Sequence, residues 1–333
     1  MNDTTSPSTP TSCATSTDRR DVLRAGIALS VSTMLGLSGT AAAADAGDAD
    51  ARLLPGFKVH KVKTAGATLH TVVGGSGPPL LLMHGAPLTH LSWCRVAPDL
   101  AKKYTVVAPD LRGYGDSSKP EDGDKHINYS KRTMAQDSVE LMRHFGFERF
   151  AVVGHDRGGR VAHRLALDHP DAVTRMSVLD IVPTYYLYTH VTKAFVDAYF
   201  HWFLFTRPAP FPENIINANL ESYVGGGSSP ELREEYLRVM KDPAAVHGMC
   251  EDYRASAGID MQFDEADLDK KISCPLHVLW AKEGAMGRMY DVLGIWKERG
   301  TQVTGAAMPG GHSFQETHPQ ETLAQLLPFL AAA

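Results

Sequence analysis

The chain has 333 residues, 43% hydrophobic and 21% charged, which is the composition of an ordinary soluble globular protein. A formal charge of −5 gives no reason to expect nucleic acid or an anionic membrane as partner, and an anionic substrate would need local positive groups to hold it. The length fits one large α/β domain with an insertion, or two smaller domains.

The N-terminus differs from the rest. Met1 to Thr17 is rich in Ser, Thr and Pro; Arg19-Arg20, an apolar run from Ala25 to Gly39 and small residues at Ala41 to Ala44 follow. This is the layout of a cleavable export signal over residues 1–44, and the paired arginines point to the twin-arginine route into a bacterial periplasm. The apolar run is shorter than the ~20 residues a membrane span needs, so no stable membrane association is expected once the signal is removed. Cys94, Cys250 and Cys274 remain in the mature chain. They form no disulfide framework, although one pair could close after export. No CxxC or HExxH spacing occurs, so the sequence supports no metal site.

Beyond the signal, Phe57 to Lys63 and Leu69 to Gly74 suggest an opening strand pair. The apolar runs Leu80 to Met83, Thr105 to Ala108 and Phe150 to Val153 read as buried strands, each feeding a loop or helix. A helical stretch runs from Lys131 to Phe145. Met176 to Leu179, Leu276 to Leu279 and Val303 to Met308 complete a strand–helix alternation, which implies a mostly parallel central sheet flanked by helices. Between Pro183 and Leu268 the alternation gives way to aromatics, prolines and helical pattern. Residues 183–268 therefore read as a helical cap inserted between the core segments 45–182 and 269–333, with a flexible loop at Gly225 to Pro230.

Gly154-His155-Asp156-Arg157-Gly158 directly after an apolar strand is the strongest motif. A nucleophile elbow places its residue on a strained strand-to-helix turn that only small neighbours permit. Here the central residue is Asp156, a carboxylate that attacks carbon and forms an ester. The ester needs a water activated by a base, and His312 in Gly310-Gly311-His312-Ser313 fits better than His318, which starts the next helix. Asp180, at the end of a strand, is the favoured acid to orient His312, with Glu283 as the alternative. His84-Gly85-Ala86-Pro87 is the expected oxyanion loop, with the backbone N–H groups of Ala86 and Arg157 as donors. Asp110 to Gly115 reads as a structural loop beside the site.

From Phe57 onward these motifs resemble the α/β-hydrolase superfamily and, within it, the fluoroacetate (haloacetate) dehalogenases. Aspartate at the elbow is shared with haloalkane dehalogenases and epoxide hydrolases, but those usually carry tryptophan after it, where this chain reads Asp-Arg-Gly-Gly-Arg. The resemblance implies that Arg157 and Arg160 grip a substrate carboxylate, as a guanidinium pair can do bidentately; otherwise they pair with acids elsewhere. His201-Trp202 with the prolines after it, and Cys250-Glu251-Asp252-Tyr253-Arg254, resemble the family's halide-binding segments, which implies that His201, Trp202 and Tyr253 donate to the leaving halide. Small Ala86 stands where these dehalogenases would carry a bulky residue, which implies a roomier pocket.

The expected function is hydrolytic dehalogenation of a haloacetate or small 2-haloacid through an aspartyl ester. No metal or organic cofactor is implied, the partner is a small anionic substrate, and a homodimer is a family expectation. One alternative is an epoxide hydrolase using Tyr253 with Tyr185, Tyr186 or Tyr188; another is a non-catalytic ligand-binding protein on the same fold.

Overall fold

The computed structural model describes residues 46–224 and 229–332. The expected signal over residues 1–44, and most of the expected loop at Gly225 to Pro230, lie outside the described residues. Eight strands form one sheet: β1 (Lys58–Lys63), β2 (Thr68–Gly75), β3 (Pro79–Met83), β4 (Thr105–Pro109), β5 (Phe150–His155), β6 (Val173–Leu179), β7 (Leu276–Ala281) and β8 (Val303–Met308). Their spatial order is β1-β2-β4-β3-β5-β6-β7-β8. β2 pairs antiparallel with β1 and β4, and every later pairing is parallel.

The parallel strands are covered on both faces, so they read as unbroken apolar runs. Leu80, Leu81, Leu82 and Met83 are fully buried, and every residue of β5 is buried. The chain runs from β3 outward to β4 and then returns to place β5 on the other side. This reversal leaves a crevice beyond the C-terminal ends of β3 and β5, where open α/β sheets bind ligands.

The core carries four helices before the insertion: α1 (Ala46–Leu53), α2 (Ala97–Leu100), α3 (Lys131–His144) and α4 (Asp156–Asp168). The Ser130 side chain caps α3 by accepting from Thr133 N–H, and Arg143 and His144 in its last turn complement the helix dipole. α4 is buried from Asp156 to Leu167, sandwiched between the sheet and the elements that follow. Its buried Arg164 finds acids accordingly, reaching Asp168 at 2.7 Å and Asp267 at 2.5 Å.

Between β6 and β7 no strand intervenes among the described residues. Eight helices run there: α5 (Thr184–Thr189), α6 (Lys193–Ala198), α7 (His201–Leu204), α8 (Phe211–Asn217), α9 (Leu220–Tyr223), α10 (Pro230–Met240), α11 (Pro243–Ala257) and α12 (Ile259–Ala266). The core resumes with β7, α13 (Ala285–Met289), α14 (Val292–Lys297), β8, α15 (Phe314–Thr317) and α16 (Pro319–Ala331). Cys94, Cys250 and Cys274 are all free thiols, so the one disulfide allowed by the sequence is not formed. No helix among the described residues is long and apolar enough to cross a membrane.

A buried polar chain fastens α1 to the sheet. Asp50 Oδ2 accepts from His70 on β2 at 2.9 Å, and Asp50 Oδ1 accepts from His90 Nε2 at 2.8 Å. The other ring nitrogen of His90 meets Asp110 Oδ1 at 2.8 Å. Both nitrogens of His90 face carboxylate oxygens, so both must donate and the ring is an imidazolium. Burial works against that charge, but Asp110 and Asp50 outweigh it and raise the His90 pKa to about 10.

A folded-state value above the ordinary 6.5 gives stability that is complete below pH 6.5 and lost as pH rises through about 10. Asp50 has the opposite sign: against burial, its histidine partners lower it to about 2, so its contribution holds above pH 3.8 and is lost on acidification towards 2. His90→Gln should therefore destabilise by about 3–5 kcal/mol at pH 6.5 and by much less at pH 10. Urea denaturation of wild type and variant at both pH values measures this, and an equal loss at both would contradict the charged assignment.

Candidate active site

The elbow lies where β5 passes into α4. Asp156 has a left-handed backbone, with φ of +45°, a conformation that costs a non-glycine residue about 1–2 kcal/mol. Missing side chains on either side make it possible. A Cβ on Gly154 would sit 2.5 Å from Gly158 O, and one on Gly158 would sit 2.3 Å from Met83 O at the end of β3. The Gly158 N–H donates to His84 O at 2.9 Å, which fixes α4 against the loop after β3. From that loop the Ala86 N–H donates to Asp156 Oδ2 at 3.2 Å. The Arg157 N–H, the second expected oxyanion donor, makes no such bond to the carboxylate.

His312 stands across from the carboxylate. Its Nδ1 donates to Asp180 Oδ2 at 2.6 Å, and its Nε2 is 4.0 Å from Asp156 Oδ2. That gap is too long for a direct hydrogen bond and suits a bridging water. Asp180 follows β6 with its own left-handed backbone, φ +54°, and its Oδ1 accepts from Ala281 N–H at 2.9 Å. Next to it, Ile181 O accepts from the buried Trp296 indole at 2.8 Å. Glu283, the other candidate acid, is exposed, and the His318 ring meets Thr317 Oγ1 at 3.0 Å, not the nucleophile.

Electrostatics follow from this geometry. Burial penalises a charged Asp156, but His312, Arg157 and Arg160 outweigh it and hold the carboxyl well below the usual carboxylate range. Burial likewise opposes a charged His312, while Asp156 and Asp180 raise it to about 10. The resting site therefore holds an imidazolium at His312 beside the ionised Asp156. His155, which the sequence reading left unassigned, is pushed down to about 4 by burial and by the neighbouring His312. As a neutral ring it donates from Nε2 to His312 O at 2.9 Å, pinning the loop that carries the base. Only its place beside the nucleophile hints at this in the sequence.

A cavity of about 340 Å³ opens over Asp156 and His312. The insertion supplies most of its wall, including His201, Trp202 and Tyr253. Tyr253 stands edge-on to Trp202, with ring centres 5.7 Å apart, and lies 6.0 Å from His201. Burial lowers His201 to about 4, so it is a neutral donor, and raises the Tyr253 hydroxyl far above its ordinary range. None of Tyr185, Tyr186 and Tyr188 lines this cavity; Tyr199 does. A larger cavity of about 600 Å³ is walled by His163, Tyr185 and Tyr186 among others, so these two tyrosines of the epoxide alternative face a space that Asp156 and His312 do not line. Histidine and carboxylate groups close enough to share a metal ion occur among the described residues at Asp50–His70–His90, His70–Asp110–Asp116 and Asp122–His247–Glu251, and none of them borders the 340 Å³ cavity.

The two arginines lie behind this wall. Arg157 is fully buried, and its Nε and Nη2 donate to the two carboxylate oxygens of Asp252 at 2.9 and 2.7 Å, with Asp252 O and Ser256 also bound. Asp252 is a site residue that sequence reasoning missed, although it directly precedes Tyr253; it also receives Lys131 and the Tyr114 hydroxyl. Arg160 Nη1 donates to Val182 O at 3.0 Å and Thr184 Oγ1 at 3.1 Å. Neither guanidinium borders the cavity: Arg157 faces the Tyr253 ring at 4.1 Å, and Arg160 faces Trp202 at 4.5 Å. Arg157 Nη1, Arg160 Nε and the Tyr188 hydroxyl are buried with no hydrogen-bond partner among the described residues. Buried donors of this kind are costly to leave unpaired and mark a place for an acceptor.

The pattern of the α/β hydrolase fold family matches residues 78–253. A fluoroacetate dehalogenase from Burkholderia sp is 46% identical over 292 residues, covering 84% of this chain and 96% of that protein. A soluble epoxide hydrolase from Corynebacterium sp. (strain C12) is 32% identical, covering 82% of this chain and 96% of its own length. Among solved structures, an α/β hydrolase from Nostoc sp PCC 7120 superimposes with a TM-score of 0.81 at 49% identity, covering 83% of this chain and 99% of that one.

Because a Cβ on Gly158 would meet backbone atoms and not a side chain that can swing away, Gly158→Ala should destabilise by about 1–3 kcal/mol. Gly311→Ala, where nothing lies within 4 Å of the added carbon, should change stability by no more than about 0.5 kcal/mol. Chemical denaturation of the two variants side by side gives the comparison, and equal stabilities would refute the close crossing at the elbow.

Proposed function

Because the chain belongs to the haloacetate dehalogenase family of α/β hydrolases, we propose that it is a hydrolytic dehalogenase that turns a haloacetate or small 2-haloacid into the 2-hydroxyacid and halide. One observation carries the two-step chemistry. Asp156 Oδ2 is held by the Ala86 N–H while His312 Nε2 stays 4.0 Å away, which leaves Oδ1 free to attack and leaves room for a water.

In the first step Asp156 Oδ1 attacks the substrate α-carbon from the side opposite the halogen. The C–O bond forms as the carbon–halogen bond breaks, and the halide leaves with the bonding pair. Neutral N–H and O–H donors on His201, Trp202 and Tyr253 take up the developing charge without a proton transfer. The unpaired donors of Arg157 and Arg160, joined by Tyr188, receive the substrate carboxylate. The aromatic rings lying against those guanidinium groups must yield to admit it.

Ester formation removes the negative charge of Asp156, and with it much of the support that holds the His312 pKa at about 10. The imidazolium can then release its proton, and the neutral ring, oriented by Asp180, deprotonates a water that attacks Asp156 Cγ. The oxyanion develops on Oδ2, where the Ala86 N–H waits. Collapse breaks the bond from Cγ to Oδ1, the substrate leaves with that oxygen as its hydroxyl, and His312 returns the proton.

Halide release from fluoro-, chloro- and bromoacetate should be measurable with wild type and fall by on the order of 10⁴-fold or more in Asp156→Asn. His312→Ala should trap the ester, seen by mass spectrometry as a carboxymethyl adduct on the peptide containing Asp156. A single turnover in ¹⁸O-labelled water should give unlabelled hydroxyacid first, because its oxygen comes from Asp156. Turnover of epoxides with no halide released from any haloacid would replace this reading with epoxide hydrolysis. Unchanged function in both variants would point to a binding protein.

Arg160→Lys keeps the charge but loses the planar fork, so KM for haloacetate should rise about tenfold or more. An unchanged KM would remove Arg160 from the carboxylate site.

A further inference from the structure

The cavity over Asp156 is larger than a haloacetate requires. Such a substrate has five non-hydrogen atoms. Even at the ~30 Å³ that a water takes up in the liquid, allowed for each atom, it fills no more than about 150 Å³. The cavity measures about 340 Å³, so more than half would stay empty around it. The remaining space accommodates about six further non-hydrogen atoms at the same generous allowance.

The remaining wall is mostly aromatic and apolar. Phe205 stands edge-on to Tyr253, with ring centres 5.1 Å apart, and its other neighbour Tyr223 is 5.8 Å away. Phe205 and Tyr223 thus extend the wall away from Tyr253. Met249 precedes Tyr253 by one turn of α11 and lines the same cavity, as residues four apart on a helix share a face. On the core side Ala86 places only a methyl group beside the nucleophile. Phe200, 55% exposed, stands on the wall where the cavity meets solvent. Among the described residues, Asp156 and His312 are the only charged groups on the wall, and both are occupied by the proposed reaction.

From this geometry we infer that the preferred substrate is a 2-haloacid whose α-carbon bears a bulky apolar substituent of about four to six carbons, seated against Phe205, Tyr223 and Met249. This rests on the dehalogenase reading. Binding energy from such a substituent, remote from the breaking bond, serves to hold the α-carbon in line with Asp156.

Steady-state bromide release from bromoacetate and 2-bromohexanoate tests it on the full-length protein. KM for 2-bromohexanoate should be at least tenfold lower, a modest part of what four buried methylene groups can supply. Ser222 is an exposed residue on the cavity rim, and Ser222→Phe should raise KM for 2-bromohexanoate at least tenfold while bromoacetate stays within twofold. Bromoacetate turned over with 2-bromohexanoate refused, or Ser222→Phe altering both substrates alike, overturns the size inference and leaves the dehalogenase reading standing. Bromide released from neither substrate overturns the dehalogenase reading itself, and the inference with it.

Discussion

Helix α4 crosses the end of β3 so closely that no side-chain atom fits between them, and the rest of the site depends on that crossing. The missing Cβ at Gly158 lets the helix backbone settle against Met83 O and His84 O. The missing Cβ at Gly154 lets the chain turn sharply enough for Asp156 to adopt its left-handed conformation. The same contact brings the loop after β3 within hydrogen-bonding distance, so the Ala86 N–H finds the carboxylate. Strain at one residue is thus held in place by packing of the surrounding backbone, a common arrangement at reactive positions.

Charge organises the next layer. Asp156, His312 and Asp180 form a line, and Asp156 and His312 each favour the charged form of the other. In the proposed reaction, esterification of Asp156 breaks this line and frees His312 to act as a base, so a single array would serve both half-reactions. Arg157 adds positive potential from below, but most of its donors are bound to Asp252, four residues from Ser256 on the same helix. Asp252 therefore ties α11 to α4, joining the inserted helices to the nucleophile helix through a buried ion pair. Such a pair contributes little net stability compared with apolar packing, and its removal from one side would leave a buried charge uncompensated.

The inserted helices determine what the site admits. They bring His201, Trp202, Tyr253, Phe205 and Tyr223 over a nucleophile that the core alone presents to solvent. Their aromatic contacts run edge-to-face from Trp202 through Tyr253 to Phe205, and such pairs favour a defined geometry over a loose apolar cluster. The shape of the cavity, and the halide contacts of the proposed reaction, are consequently set by one connected group of rings.

Much of this was legible in the sequence, because it depends on local pattern. Apolar runs mark β3 and β5, glycine spacing marks the elbow, and the Gly310-Gly311-His312 loop marks the base. The same local logic favoured Asp180 but kept Glu283 as an alternative, since each follows a strand; only the fold shows the His312 ring bonded to one and the other exposed. It offered Arg157 and Arg160 either to a substrate carboxylate or to acids elsewhere, and could not see the partner 95 residues away, Asp252, that binds Arg157. It placed the second tyrosine among Tyr185, Tyr186 and Tyr188, whereas Tyr199 reaches the cavity. The sequence by itself determined the sheet and the elbow and loop that carry the candidate nucleophile Asp156 and the candidate base His312, because backbone sterics and hydrophobic periodicity act over a few residues. Tertiary structure alone decided which acid, which arginine donors and which rings meet at Asp156, because those pairings are made by buried side chains distant in the chain and leave no periodic trace in it.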